Sequence, residues 1–191
     1  NHPLNTLQPT AGIGYIKVTE PMGTLSASDK QELKIQKTST GISWGAVYAQ
    51  FFQPATEVTD ATSGLKIKRE VLVDSTLTKN LNNLKVGDKV RIRLTIIADR
   101  DYDFVQVVDK RAACLEPVNQ LSGYHWGYYI APKDYTTSYY FDVMAKGKHV
   151  IETEYYIDRA GVYRTGTCTA QCAYAPEYSG RTGVIVVKVE E

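Results

Sequence analysis

Apolar and polar residues alternate along this chain with a period of two. The alternation recurs in "GIGYIKVTE", "ELKIQKT", "SWGAVYAQFF", "LKIKREVLV", "KVRIRLTIIA", "FVQVVDKR", "SYYFDVMA", "HVIETEYYI" and "GVIVVKVEE". That period sends successive side chains to opposite faces of a strand, so each run predicts a half-buried β-strand. No helix-length window carries apolar positions at i, i+3, i+4 and i+7 between caps, so very little helix is expected. Turn residues stand between the runs in "EPMG", "TSTG", "DATSG", "KVGD", "AKGK" and "DRAG". Strands without intervening helices cannot make parallel crossovers, so the expected fold is all-β, an antiparallel β-sandwich.

One strand is specified in detail. In "LKVGDKVRIRLTI" a turn at Gly87 and Asp88 leads into a run with Val90, Ile92, Leu94 and Ile96 on one face and Lys89, Arg91, Arg93 and Thr95 on the other. The preceding "TKNLNNLKVG" is polar and reads as a loop or a weakly ordered connection. No internal repeat or low-complexity tract interrupts the chain. One domain over 39–191 is expected, with 1–38 as a separable strand segment from the end of a preceding module.

Composition narrows the function classes. Lys and Arg number 22 against 21 Asp and Glu, for a net charge of +1. No block of like charge marks a nucleic-acid or anionic-membrane surface, so neither partner is expected. Fourteen Tyr against 4 Phe and 2 Trp fit strand positions that bury a ring and keep a hydroxyl wet. No run approaches the ~20 apolar residues of a membrane span. The opening "NHPLNTLQPT" lacks the basic and apolar parts of a signal peptide, and reads as the start of a mature or excised piece.

Catalytic chemistry is hard to place. His2, His125 and His149 are the only histidines, and none stands beside a nucleophile in a known spacing. GxSxG, HExxH and P-loop patterns are absent, and the glycines of "AGIGYIK" open a strand rather than a helix. No cofactor and no enzymatic activity are expected. Asp99, Asp101 and Asp103 in "DRDYD" alternate like calcium ligands, but Phe104 and Lys110 occupy the positions where an EF-hand needs Gly and Glu. A turn with solvated carboxylates, pairing Arg100 or Arg111, is the expected reading.

Cys114, Cys168 and Cys172 are too few for a disulfide scaffold. Cys168 and Cys172 sit four apart in a stretch that reads as strand, with Cα atoms roughly 13 Å apart at ~3.3 Å per residue, beyond disulfide reach. Either can pair with Cys114 if their strands are neighbours; otherwise all three stay reduced. The aromatic stretch "GYHWGYYI" offers two readings as well. Alternate members pack into the sandwich, or Tyr124, Trp126 and Tyr128 form a platform for sugars or a protein partner.

Residues 99–126, "DRDYDFVQVVDKRAACLEPVNQLSGYHW", resemble the "DRD…FV…D-x-RA…EPVN" segment of bacterial alpha-2-macroglobulins. The resemblance continues through "YYFDVMAKGKHVIETEYYIDRAGVYRTG" and ends in "AYAPEYSGRTGVIVVKV", similar to the family's "YAPEF" signature. Upstream, "GIGYIKVTE" and "GISWGAVYAQFF" are similar to family strands that leave the thioester-bearing region and begin the last macroglobulin-like domain. The resemblance implies an immunoglobulin-type, macroglobulin-like sandwich serving as the C-terminal domain of a periplasmic or cell-surface, often lipid-anchored protease trap.

It also implies partners: the thioester-bearing and macroglobulin-like domains of the same chain, and target proteases met through the parent protein. The family's thioester motif "CxEQ" is missing, since "CTAQC" has Ala170 where Glu is required. Asp99, Arg100, Asp101, Tyr124, Trp126 and Tyr128 are the candidate interaction residues. A lineage-specific bond of Cys114 with Cys168 or Cys172 fits the resemblance, which places small or hydroxyl residues at these positions. A surface adhesion or carbohydrate-binding module is the alternative.

Overall fold

The computed structural model describes residues 7, 9, 15–26, 34–38, 40–73 and 84–191. The chain divides into two units, Asn1–Ala49 and Gln50–Glu191. In the first, the described residues include one 3-10 turn, Met22–Thr24, closed by the amide and the hydroxyl of Thr24 donating to Pro21 O at 2.9 and 2.7 Å.

The three N-terminal runs expected as strands are not strands among the described residues: 16–20, 34–38 and 43–52 carry no ladder, and Tyr15 makes a single isolated bridge. Alternation supplies a strand with a face, but the strand exists only when a neighbour pairs its backbone. Residues 74–83, covering most of "TKNLNNLKVG", and residues 11–14 of "AGIGYIK" lie outside the described residues, as does His2.

Beyond a 3-10 turn at Ala55–Glu57, the second unit is built of strands. In chain order they are β1 Ala61–Ser63, β2 Leu65–Val73, β3 Leu84–Lys85, β4 Lys89–Ala98, β5 Tyr102–Lys110, β6 Leu115–Pro117 and β7 Gly123–His125. There follow β8 Tyr128–Pro132, β9 Thr136–Met144, β10 Gly147–Ile157, β11 Gly161–Arg164, β12 Cys168–Cys172, β13 Ser179–Thr182 and β14 Val186–Glu190. "DATSG", expected as a turn, instead forms β1 and reverses only at Gly64, whose φ of 78° is open to glycine.

Eleven strands form one sheet in the order β6-β10-β4-β2-β1-β13-β12-β5-β9-β8-β7. It doubles over at β1, so that β6-β10-β4-β2 faces β13-β12-β5-β9-β8-β7 across a shared core. A second sheet, β11-β14-β3, adds Val187, Val189 and Leu84 to that core. Its β14–β3 pair is parallel, against the expectation of wholly antiparallel pairing. The rule forbids a short parallel connection, and β3 and β14 are separated by most of the domain.

The core follows the strand period. Val90, Ile92, Leu94 and Ile96 of β4 are buried and Lys89, Arg91 and Arg93 point outward, as the sequence predicts. The outward arginines pair with β10 across the register Glu152↔Arg93 and Glu154↔Arg91, with Arg93 Nε 2.6 Å from Glu152 and Arg91 Nη2 3.0 Å from Glu154. Two polar bonds cross the sandwich between β9 and β10: Thr137 to Tyr155 at 2.8 Å and Tyr139 to Thr153 at 2.6 Å.

Arg69 of β2 and Asp109 of β5 break the apolar phase on the inner face. Their side chains are wholly buried and meet at 2.7 Å. Arg69 Nη2 also donates to Thr165 Oγ1 at 2.7 Å and to the carbonyls of Gly166 and Gly183, both at 2.8 Å. One guanidinium thus ties both layers to the segments flanking β11 and β14. Removing either charge strands the other, at a cost of about 3–5 kcal/mol. Burial pushes the Asp109 carboxyl above its ordinary range, against the pull of Arg69.

All three cysteines are buried free thiols, so the Cys114 bond to Cys168 or Cys172 is not formed here. Cys168 and Cys172 both point inward from β12, as their spacing requires. Burial pushes the Cys114 thiol up to about 11 and holds the Cys168 thiol well above its ordinary range.

Candidate interaction surface

Strand register brings the expected surface residues to one end of the sandwich. Cys172 lies opposite Val105, and Val105 opposite Phe141. Tyr129 faces Tyr140, so the next pair in that ladder sets Tyr128 opposite Phe141, and their rings lie 5.4 Å apart. Beyond this row stand the β7–β8 hairpin tip at Trp126 and Gly127, the β4–β5 turn at residues 99–101, and the segment after β12. Three strand spacings of ~4.8 Å separate β12 from β8, so these features span about 15 Å of one rim.

The turn is held by its own side chains. Arg100 Nε donates to Asp99 at 3.1 Å and the Tyr102 hydroxyl donates to the same carboxylate. Arg100 and Tyr102 together hold Asp99 below the usual carboxylate range. Burial, reinforced by Asp99, raises the Tyr102 phenol to about 12. Asp101 accepts from the Lys146 amide at 2.7 Å, joining this turn to the β9–β10 turn. The Arg100 guanidinium lies 5.1 Å from the Tyr178 ring centroid.

Arg100 is therefore the arginine that pairs in the turn. Arg111 is buried elsewhere, donating to Leu115 O, Thr136 O and Asp134 O. Asp103 is exposed on β5, and its main-chain carbonyl accepts from Cys172 Sγ at 3.1 Å.

In the hairpin the aromatic stretch divides, with Tyr128 packed against its neighbours and Tyr124 and Trp126 exposed. Tyr128 packs on Tyr139 and Phe141 and stacks with His125, its ring centroid 5.5 Å away at 12°. Tyr124 is 81% exposed and meets Tyr129 edge-on at 5.0 Å. Trp126 is fully exposed at the tip, turned there by Gly127 with φ of 90°. His149 donates to or accepts from nothing reactive; its Nε2 lies 2.7 Å from Ala145 O.

Two further aromatics belong to this rim and escaped the sequence reading. Phe104 and Tyr174 are exposed and meet edge to face at 5.3 Å, braced by the Ala173 amide donating to Phe104 O at 2.8 Å. Phe104 has φ of 54°, alone among described non-glycine residues in the left-handed region. A bulky residue there costs roughly 1–2 kcal/mol, which the surrounding ladders supply. Its sequence signal is faint: an aromatic at an outward phase, next to a turn.

The chemistry available to such a rim is contact: rings, a guanidinium and carboxylates already bonded to neighbours. Among the described residues no three His, Cys, Asp or Glu side chains are grouped to hold a metal ion.

A family model of the bacterial alpha-2-macroglobulin MG10 domain matches residues 64–177, more than half of the chain. The chain belongs to this family. A mutant of Salmonella alpha-2-macroglobulin superposes with a TM-score of 0.64 at 22% identity, over 72% of this chain and 10% of that one. Escherichia coli alpha-2-macroglobulin, spanning MG7 to its C-terminus, gives 0.64 at 20% identity over 72% of this chain and 25% of that one. The Salmonella protein reacted with methylamine gives 0.63 at 23%. This MG10 chain therefore spans about a tenth of the Salmonella protein's length. No curated protein sequence matches it.

Proposed function

We propose that this MG10 chain is the non-catalytic C-terminal module of an extracytoplasmic alpha-2-macroglobulin-type protease trap. Its aromatic rim docks on the thioester-bearing module at rest, keeps water from the labile bond, and lets go when a protease cuts the parent. The observation that carries this reading is Phe104, strained at φ of 54° yet presenting an exposed ring beside Tyr174. Strain of this kind is retained where surface function needs a side chain re-aimed. A rim about 15 Å across with Trp126 at its far side suits a moderate, separable interface between modules.

Solved relatives add support: Escherichia coli alpha-2-macroglobulin is described as activated by trypsin and by porcine elastase, and the Salmonella protein as reacted with methylamine. The test is amine uptake by the full-length protein. Tyr174→Ala and Trp126→Ala should each speed uptake before any protease is added. Uptake unchanged in both variants rejects the shielding role.

A second reading rests on Trp126 itself, fully exposed beside Tyr124, an arrangement that stacks sugar rings. Tryptophan fluorescence titrated with polysaccharide separates the two, and a flat titration removes the carbohydrate reading.

A further inference from the structure

The two layers of the sandwich are unequal on the side away from the β1 fold. β10 faces β9, tied to it by the bonds Thr137 to Tyr155 and Tyr139 to Thr153 and by the Phe141 ring 6.3 Å from that of His149. Beyond β9 its layer continues through β8 and β7, whereas beyond β10 the other layer holds only β6, which pairs with residues 155–157. Residues 147–153 of β10 therefore form a sheet edge about 23 Å long at ~3.3 Å per residue, overhung by the β7–β8 hairpin.

The Val118 amide donates to Glu154 O at 3.0 Å, which fixes the phase of that edge: the main-chain amides and carbonyls of Lys148, Val150 and Glu152 also point away from β4. Among the described residues none of these groups has a hydrogen-bond partner. On the overhang the Tyr128 ring is half-buried and its stacked neighbour His125 is exposed, so an aromatic floor lies under the edge with no strand above it.

We propose that this vacant strand position takes an extended segment of a partner polypeptide, bonded through its backbone to Lys148, Val150 and Glu152, with apolar side chains on Tyr128 and His125 and a carboxylate opposite Lys148. The charge follows from what is already paired. Glu152 is held by Arg93 at 2.6 Å and by Arg91 at 3.1 Å. Among the described residues Lys148 has no ion pair, and neither has Lys66, which shares its row across Ile97. An incoming strand thus meets net positive charge on its outer face and rings on its inner one. A second copy of this chain does not fit. Antiparallel pairing of two such edges about a two-fold axis normal to the sheet puts both β7–β8 overhangs on the same side, where they compete for one space. No main-chain group of this edge belongs to the rim, so the inference is independent of the trap reading.

Residue-resolved amide exchange on the 191-residue chain tests it, free and with a short acetylated peptide of alternating Val and Glu. In the free chain the amides of Lys148, Val150 and Glu152 should exchange at least about 100-fold faster than those of His149 and Ile151, which donate to β4. Saturating peptide should slow these three amides at least about 10-fold and shift the Tyr128 and His125 ring signals. The peptide with Lys in place of Glu should bind about 5-fold more weakly, and one N-methylated at alternate residues should not bind. Val150→Pro removes an outward amide that β4 does not use, so it should abolish binding and leave the Ile151 amide protected. Lys148→Glu, at an exposed side chain, should reverse the preference in favour of the Lys peptide. An unchanged preference in that variant overturns the inference. So do slow exchange of the three amides in the free chain, no slowing by the Val and Glu peptide, and equal binding of its N-methylated form. Protection that rises with protein concentration, together with a dimer by sedimentation, gives the edge to a second copy and equally overturns it.

Discussion

Strand β4, "KVRIRLTIIA", and the segment "SWGAVYAQFF" both read as strands in the sequence, yet the first lies at the heart of the sandwich and the second carries no ladder. Phase separates them in part, since Val47 and Phe51 fall opposite Trp44, Tyr48 and Phe52. Neighbours separate them further. β4 is paired along its whole length, with β10 on one side and β2 on the other. Its inner residues are covered by the facing layer. Period-two patterning prepares a face, and pairing decides whether that face becomes a strand.

The largest expected effect lies where the inner face of the paired region departs from apolar. Arg69→Met should destabilise the second unit by about 3–5 kcal/mol, because it leaves Asp109 buried without its cation. The double variant Arg69→Met/Asp109→Leu should recover most of that loss, since an apolar pair of similar volume replaces two buried charges. Urea unfolding of the two variants measures both. Equal destabilisation by the single and double variants would mean that the guanidinium's bonds to Thr165, Gly166 and Gly183 matter more than charge pairing.

Leu94→Ala at the centre of β4, a fully buried site, should cost about 2–5 kcal/mol through lost burial and the cavity left behind. Trp44→Ala in the same 191-residue chain should change stability by less than about 0.5 kcal/mol, although it removes a larger side chain. Comparable losses at the two positions would show that residues 42–52 are packed within this chain, and the comparison would fail.

These paired cases show how far the sequence could be read. β2 and β4 were legible to the residue, because alternation between turn residues leaves one register that buries Leu65, Ile67 and Val71 of β2 and Val90, Ile92, Leu94 and Ile96 of β4. The short edge strands β6, β7 and β11 were not legible, since three or four residues hold too little pattern. Arg69 and Asp109 were visible in principle: each is a charge of opposite sign at an inward phase, and two such breaks predict a cross-layer pair. For the rim, sequence supplied the acidic turn at 99–103 and the aromatic stretch at 124–129 as separate features. Only register showed that they share one end, and nothing local announced the left-handed backbone of Phe104.

Burial also gives the paired region a pH signature that an unpaired segment lacks. Desolvation, with the nearby Asp109 charge, raises the Tyr155 phenol to about 12. An unfolded tyrosine titrates near 10. A group whose folded value lies above its unfolded one gives stability that is complete below pH ~10 and fades as pH rises toward ~12, on the order of 3 kcal/mol in all. Tyr155→Phe should therefore be less stable than the wild type at pH 7, by about 1 kcal/mol for the stranded Thr137 hydroxyl, and should lose less between pH 10 and 12. Unfolding curves that fall in parallel would remove Tyr155 from the alkaline transition.

The smallest effect belongs to the outer face of β4. Arg91 reaches Glu152 at 3.1 Å and Glu154 at 3.0 Å, and Arg91 holds the Glu154 carboxyl below its ordinary range. Because that folded value is depressed, the contribution is present above the unfolded value near 4.5 and fades as pH falls through the folded one. Water and salt screen a partly exposed ladder, so Arg91→Ala should lower Tm by no more than about 3 °C, and by less still in 0.5 M sodium chloride. A salt-independent loss larger than this would mean that the outer charges set the register of β4. A small, screened loss leaves the inner face and the flanking strands as the source of its order.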